Sequence, residues 1–196
     1  TNIANVLGTG VVWLGDNLGF FAVALLAFFT PVMIATGTHS FAFPVIVATL
    51  TTVGYDQLLM PSMVAENLAM AGAAFAIAML SKDKDKRAQG ISASLSAVLG
   101  ISEPAMYGFN IPSKYGFLGS MIGGAIGGLF AGIFQFRMYA IASSSVVGIP
   151  AMFGDKGVFN VIIGVLTIVI SFVASALITI VLSKSNIKLD KFGKRG

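Results

Sequence analysis

Long apolar runs separated by short polar breaks set the outline of this chain. No Asp, Glu, Lys or Arg stands between Asp16 and Asp56, and the single His of that interval is His39. Within it, residues 18–36 (LGFFAVALLAFFTPVMIAT) predict one spanning helix with a kink at Pro31, which neighbouring helices tolerate. Upstream, residues 3–15 carry Trp13 ahead of Asp16 and Asn17, the pattern of an interfacial or partial helix. Residues 40–54 (SFAFPVIVATLTTVG) are short and broken. With the Thr36–His39 turn before them, Pro44 inside and Gly54-Tyr55-Asp56 after, they fit a re-entrant hairpin better than a crossing. Residues 62–81 predict the next helix, with Glu66 in its first turn, where the helix dipole favours a carboxylate.

Residues 88–113 break the pattern. AQGISASLSAVLG is small and hydroxyl-rich, and ISEPAMYGFNIPS adds Glu103, Pro104, Gly108 and Pro112. Irregular backbone at membrane depth is tolerated only against protein or water, so a broken or re-entrant element lining a cavity is expected. Residues 115–136 are uncharged and long enough to span. Their Gly119, Gly123, Gly127 and Gly124, Gly128, Gly132 recur every fourth position, the small-xxx-small signature of close helix packing. Residues 138–156 are mixed, and 157–183 form the last uncharged run, long enough to tilt.

Composition gives these runs a solvent. The chain of 196 residues is 56% apolar and 10% charged, with a mean hydropathy of +0.90; soluble domains run about 45–50% apolar and roughly 25% charged. An ordinary cytosolic globule and a disordered chain are excluded, and an all-α polytopic membrane protein is expected. Cysteine is absent, so there is no disulfide, thiolate metal site or cysteine nucleophile. One His and scattered carboxylates argue against a metal centre, and no cofactor is expected. The start at Thr1, without Met or signal peptide, fits a processed product or a piece of something larger.

Charge then sets the orientation. Nine of the twelve basic residues fall in two clusters, Lys82, Lys84, Lys86 and Arg87 in one, Lys184, Lys188, Lys191, Lys194 and Arg195 in the other. Each follows an apolar run and is poor in aromatics, so the positive-inside rule accounts for them better than nucleic-acid binding, and both are expected in the cytoplasm. Residues 1–183 are accordingly expected to be membrane-embedded and 184–196 a basic cytoplasmic tail. An even number of crossings must separate the clusters, which holds if the serine-rich stretch is a re-entrant hairpin.

An ionisable residue inside the membrane is a functional candidate, because burying it is costly. Glu103, in the Gly100–Pro104 break, is the foremost; it can accept from sugar hydroxyls or take a hydroxyl proton as that oxygen attacks phosphorus, or else serve structurally by capping the next helix or pairing with Lys114. His39, also at a break, can orient a hydroxyl or donate to a phosphoryl oxygen, or be a satisfied structural residue. Arg137 reads as a snorkelling interfacial side chain. Asn110 and Lys114 flank the second break within reach of substrate or phosphate, and Tyr107 and Phe109 offer faces to a sugar or to the core.

The stretch Gly100-Ile101-Ser102-Glu103-Pro104-Ala105-Met106-Tyr107-Gly108-Phe109-Asn110 resembles the signature of the membrane subunit, enzyme IIC, of the bacterial phosphoenolpyruvate-dependent sugar phosphotransferase system. The glucose superfamily, β-glucoside/sucrose/trehalose branch, resembles it most. Gly37-Thr38-His39 with Pro44, Thr52–Asp56 with Pro61, Ala71–Ala74 and Ile122–Gly128 are similar to further family segments, although Met70 stands where the family often has Gln.

The resemblance implies a transport domain with two re-entrant hairpins and broken helices in the bacterial inner membrane. It implies sugar uptake, of a β-glucoside or related glucosyl disaccharide, with phosphorylation of the sugar 6-hydroxyl by a phosphocysteine of a partner IIB domain, IIA acting upstream. Protein-phosphocysteine–sugar phosphotransferase activity is thus expected of the complete complex. Glu103 and His39 take the family's catalytic and sugar-contacting places, and a homodimer through N-terminal helices absent here is implied. An ion-coupled secondary transporter, with Glu103 and Glu66 as candidate carboxylates, and a non-transporting membrane fragment are the other readings.

Overall fold

The computed structural model describes Trp13 and residues 17–193, with side chains as far as residue 184; the expected interfacial helix at 3–15 and the tail side chains lie outside these residues. Among them the chain is helical, with one isolated antiparallel bridge between Asp56 and Met138. The order is α1 (Phe20–Ala35), a 3-10 turn (Thr38–Phe41), α2 (Ala42–Val53), α3 (Leu59–Leu80) and α4 (Lys84–Val98). There follow α5 (Glu103–Ala105), a π turn (Met106–Asn110), α6 (Ile111–Ser113), α7 (Tyr115–Ile133), a second 3-10 turn (Val146–Met152) and α8 (Gly157–Gly193). Among the described residues three helices are long and apolar enough to cross a membrane: α3, α7 and α8 as far as Lys184.

α7 is the central helix, and its glycines explain why. Gly119, Gly123 and Gly127 lie against Thr179, Ser175 and Ser171 of α8, while Gly124, Gly128 and Gly132 lie against Ala27, Val23 and Phe20 of α1. Each of the two glycine rows seen in the sequence thus serves a different partner, letting backbones approach where a side chain would collide. The pairings run in opposite senses along the chain, so α7 is antiparallel to both, and Gly116 beside Ile77 makes it antiparallel to α3. α8 is polar inward and apolar outward. Thr167, Ser171, Ser175 and Thr179 are buried, whereas Val158, Ile162, Val169, Val173, Leu177 and Val181 are exposed, as lipid contact requires.

Five sequence expectations change. Residues 40–54, expected to hold a re-entrant hairpin, contain the single 12-residue helix α2, with Pro44 in its first turn where it does not break the helix. α1 has 16 residues, about 24 Å at 1.5 Å per residue, short of the roughly 30 Å hydrocarbon core. Gly19 (φ 51°) and Gly37 (φ 72°) bracket it in conformations that end a helix. α3 starts at Leu59, with Pro61 in its first turn, where a missing N–H costs nothing. Glu66 is therefore not in the first turn but further along the helix and fully buried. The N-terminal carboxylate is Asp56, whose Oδ1 accepts from Leu58 N (2.9 Å) and Met60 N (3.0 Å).

The serine-rich stretch, expected to be irregular, forms the regular helix α4, capped by Asp83, which accepts from Asp85 N and Lys86 N. Its small residues serve packing instead: Gly90 sits on Ala78, and Ser94 Oγ donates to Ala71 O at 2.9 Å. Arg137, expected to snorkel, instead lies part-buried in an ordered loop described below.

These pairings give the molecule two ends. The C-terminal ends of α3 and α8 and the N-terminal ends of α4 and α7 share one end, which carries Lys82, Lys84, Lys86, Arg87, Lys114 and Lys184. The opposite end carries the loop 134–156, fixed by the Asp56–Met138 bridge (both N–H···O distances 2.8 Å) and by buried Phe136, Met138 and Met152.

Candidate functional site

α4 and the arm at 103–113 form a helical hairpin. Descending α4 runs antiparallel to α3 through the Gly90–Ala78, Ser94–Ala71 and Asn67–Ala97 contacts. The chain turns at residues 99–102, where Gly100 adopts φ 108°. The arm then returns, with Ala105 in a small-residue cluster with Ala71, Ala74, Ala93 and Ala97, and Phe109 beside Gly90. Both outer ends of the hairpin thus lie at the basic end of the molecule, and its tip points inward along α3.

The return arm starts with Glu103 and Pro104 in its first turn, where Pro is tolerated and the dipole favours the carboxylate. It passes through a five-residue π turn, an element concentrated at functional sites. Glu103, Tyr107, Ile111 and Lys114 are exposed, whereas Ala105, Met106 and Asn110 are buried. Spacings of four residues place Glu103, Tyr107 and Ile111 on one face. Glu103 and Tyr107, 52% exposed, are therefore presented together at the tip half of the arm, and Lys114 closes it at the basic end with φ 54°.

Asn110 faces the other way: its Nδ2 donates to Met70 O at 3.1 Å and its buried Oδ1 has no partner. Phe109 is half-buried and packs on the small-residue cluster between the arms. His39 lies in the turn between α1 and α2, half-buried, with a buried Nδ1 that has no partner. No hydrogen bond among the described residues joins it to the hairpin.

Two features passed over in the sequence, Asn67 and the serines at 143–145, frame this site together with Glu66, which the sequence had placed at a helix start. Asn67, 4% exposed, donates through Nδ2 to Ala97 O and to Ser144 O, both at 2.8 Å. An Asn in the middle of a spanning helix was the available signal. Ser143 and Ser145 lie directly against Gly100. Glu66 is buried at the approach of α3 to Gly124 of α7, and its Oε1 has no partner.

The opposite end holds a separate polar cluster. Arg137 pairs with Asp155 at 2.9 Å and stacks 3.9 Å from the Tyr55 ring centroid. The Tyr139 hydroxyl also donates to Asp155. That hydrogen bond, with Arg137 adding to it, holds the Asp155 carboxyl below its usual range. Burial lowers Lys156 and raises Tyr139. Beside this cluster a cavity of about 730 Å³ opens between α1, α2 and the start of α3, lined among others by Phe20, Thr49, Thr52, Gln57 and Gln135. None of His39, Glu103, Tyr107, Asn110 or Lys114 lines it. No group of three metal-ligating side chains occurs among the described residues.

The profile of the phosphotransferase system EIIC family matches residues 1–124. The chain is 32% identical over 189 residues to the "PTS system beta-glucoside-specific EIIBCA component" of Bacillus subtilis (strain 168), covering 96% of this chain and 30% of that protein. It is 27% identical over 190 residues to the "PTS system arbutin-, cellobiose-, and salicin-specific EIIBC component" of Escherichia coli (strain K12), covering 96% and 39%. Against the "PTS system sucrose-specific EIIBC component" of Pasteurella multocida (strain Pm70) it is 29% identical over 154 residues, covering 78% and 32%. The chain spans about a third of the length of these relatives. No solved structure matches.

Proposed function

The chain belongs to the EIIC family of the phosphotransferase system, and from that premise we propose that it handles a sugar during uptake coupled to phosphorylation. The sugar is a β-glucoside or a related glucosyl disaccharide, in keeping with the substrates in the relatives' names. The phosphoryl donor is a phosphocysteine of a IIB partner, charged through IIA. B and A components stand in the names of the relatives, and this chain has no Cys of its own. Dimerisation is assigned to helices outside this chain.

The observation that carries the proposal is the hairpin tip. Glu103 is exposed at an inward-pointing tip whose two outer ends lie at the basic end. We read this as a re-entrant hairpin entered from the cytoplasm, and α1 with α2 as its counterpart around the His39 turn. A carboxylate there accepts hydrogen bonds from sugar hydroxyls. It also accepts the proton that leaves the 6-hydroxyl as the O–P bond forms and the S–P bond breaks, the cysteine thiolate departing. Phosphoryl transfer asks for positioning and charge stabilisation more than covalent help, so Glu103 is assigned sugar positioning and the base role. Tyr107, on the same face, supplies a ring for the sugar, and Lys114 a cation nearer the basic end. Asn110 supports the arm from behind through Met70, and His39 offers its free Nδ1 to the same substrate.

The test is Glu103→Gln in the membrane-reconstituted protein with phosphorylated IIB, scoring sugar affinity and sugar-phosphate formation separately. Action as a base lowers phosphorylation by roughly 10²–10⁴-fold with binding retained. Action as a binding group lowers affinity first, by about 1.5–3 kcal/mol. Near-native values for both, or uptake driven by an ion gradient without phosphorylated IIB, would overturn the proposal.

A further inference from the structure

We propose that the serine segment 143–145, clamped to the Glu103 hairpin by Asn67, is the second wall of the sugar site, and that Ser143 and Ser144 select among sugars by their hydroxyl patterns. The inference rests on the reading of Glu103 as the sugar site.

Its basis is a set of long-range contacts at one place. Asn67 uses one amide nitrogen to hold two carbonyls, Ala97 O in the last turn of α4 and Ser144 O in the loop, 30 and 77 residues away in sequence. The first lies in the last turn of α4, where Ala97 O also accepts from Gly100 N at 2.9 Å, so the Asn67 contact is made at the point where the chain turns. One buried side chain on a rigid spanning helix therefore fixes the loop relative to the hairpin. The tip itself meets the loop. Any Cβ at Gly100 would strike Ser143 Oγ, with Ser145 Oγ just beyond, so the tip backbone and these serines are packed without a gap.

The wall is also internally braced. Ser145 is fully buried; its Oγ accepts from Val147 N at 3.2 Å and lies 2.8 Å from Ser143 Oγ. That bond caps the 3-10 turn Val146–Met152, whose Met152 is buried in the main core.

Two residues of the segment stay accessible: Ser143 is exposed, its Oγ held between Ser145 Oγ and the tip backbone, and Ser144 is half-buried, beside a tip that presents Glu103 three residues after Gly100. Hydroxyls donate and accept in any rotamer that suits, and carry no charge. A neutral polyol is recognised by such groups beside one carboxylate. A site built to hydrogen-bond a given hydroxyl discriminates strongly against the analogue that lacks it. Glu103 positions the sugar, and the serines read which hydroxyls it carries.

The experiment measures affinities of the reconstituted protein for cellobiose, salicin and sucrose, then for monodeoxy derivatives of the tightest binder. It compares wild type with Ser143→Ala, Ser144→Ala, Asn67→Ala and Glu103→Gln. At least one serine variant is expected to lose roughly 3–10-fold for the parent sugar while staying within about twofold for one particular deoxy derivative, the one missing the partner hydroxyl. Asn67→Ala, which frees the loop by removing its two hydrogen bonds but no sugar contact, weakens parent and derivatives alike. If both serine variants shift all sugars by a common factor, or shift none, while Glu103→Gln still weakens binding, the second wall is refuted and the Glu103 site stands. If Glu103→Gln leaves binding and phosphorylation untouched, the Glu103 reading fails, and the wall with it.

Discussion

Asp56 shows how one side chain holds an element start and titrates at the same time. Burial pushes its carboxyl above the usual range, opposed by the N–H groups of Leu58, Met60 and Leu59. An acid with a raised value keeps its proton longer in the folded state. Its contribution to stability is thus complete below the ordinary carboxylate range and is lost as pH rises through the raised value. Asp56→Asn keeps the Oδ1 acceptor and should flatten that stretch of the pH profile in detergent thermal melts. Asp56→Ala should cost about 1 kcal/mol for the lost cap at any pH. At the proposed site, His39→Ala and Glu103→Gln should show non-additive losses of sugar affinity if they share a ligand. Strict additivity in the double-mutant cycle would separate them.

Among elements, the glycine rows of α7 decide how closely the spans approach. A Cβ at Gly123 would fall 2.5 Å from Ser175 Cα, so Gly123→Ala must push α8 away. A loss of about 1–3 kcal/mol is expected, the range of overpacked cores, visible as a lower melting temperature in detergent. Gly108, in the π turn, has nothing within 4 Å of its would-be Cβ. Gly108→Ala should leave stability unchanged or raise it by up to about 1 kcal/mol through helix propensity. Equal losses from both substitutions would mean that close approach is not what the α7 glycines provide.

The whole molecule is a multi-pass protein of the bacterial inner membrane, and its two ends differ in charge. Basic residues at 82–87, 114 and 184 gather at one end, while Asp56, Arg137, Asp155 and Lys156 sit at the other. The positive-inside rule places the first end in the cytoplasm. The chain has no Cys, so single substitutions label cleanly. Arg87→Cys and Lys184→Cys should be blocked by a thiol reagent only after the membrane is made permeable, and Asp155→Cys should react in intact cells. The reverse pattern would invert the topology and place the hairpin opening on the outer side.

Residue order alone determined the features that depend on local preference or on the choice of solvent. The uncharged runs 115–136 and 157–183 are spans because their length and apolarity match a bilayer core. The hairpin turn is legible at Gly100–Pro104 because Gly and Pro there cannot continue a helix. The α7 glycine rows announce close packing by their spacing, and the absence of Cys leaves this chain no phosphocysteine. Tertiary structure decided what depends on a distant partner. A stretch such as AQGISASLSAVLG is equally suited to irregular backbone and to tight packing, and only α3 beside it makes it a helix. Glu66 reads as a helix-start carboxylate until Asp56 is found holding that role. Arg137 reads as an interfacial anchor until Asp155 and Tyr55 meet it. Asn67 stands out in the sequence as an amide within a spanning helix, but its task is not legible there, because its two acceptors lie 30 and 77 residues away. Only the packed fold brings them to one amide.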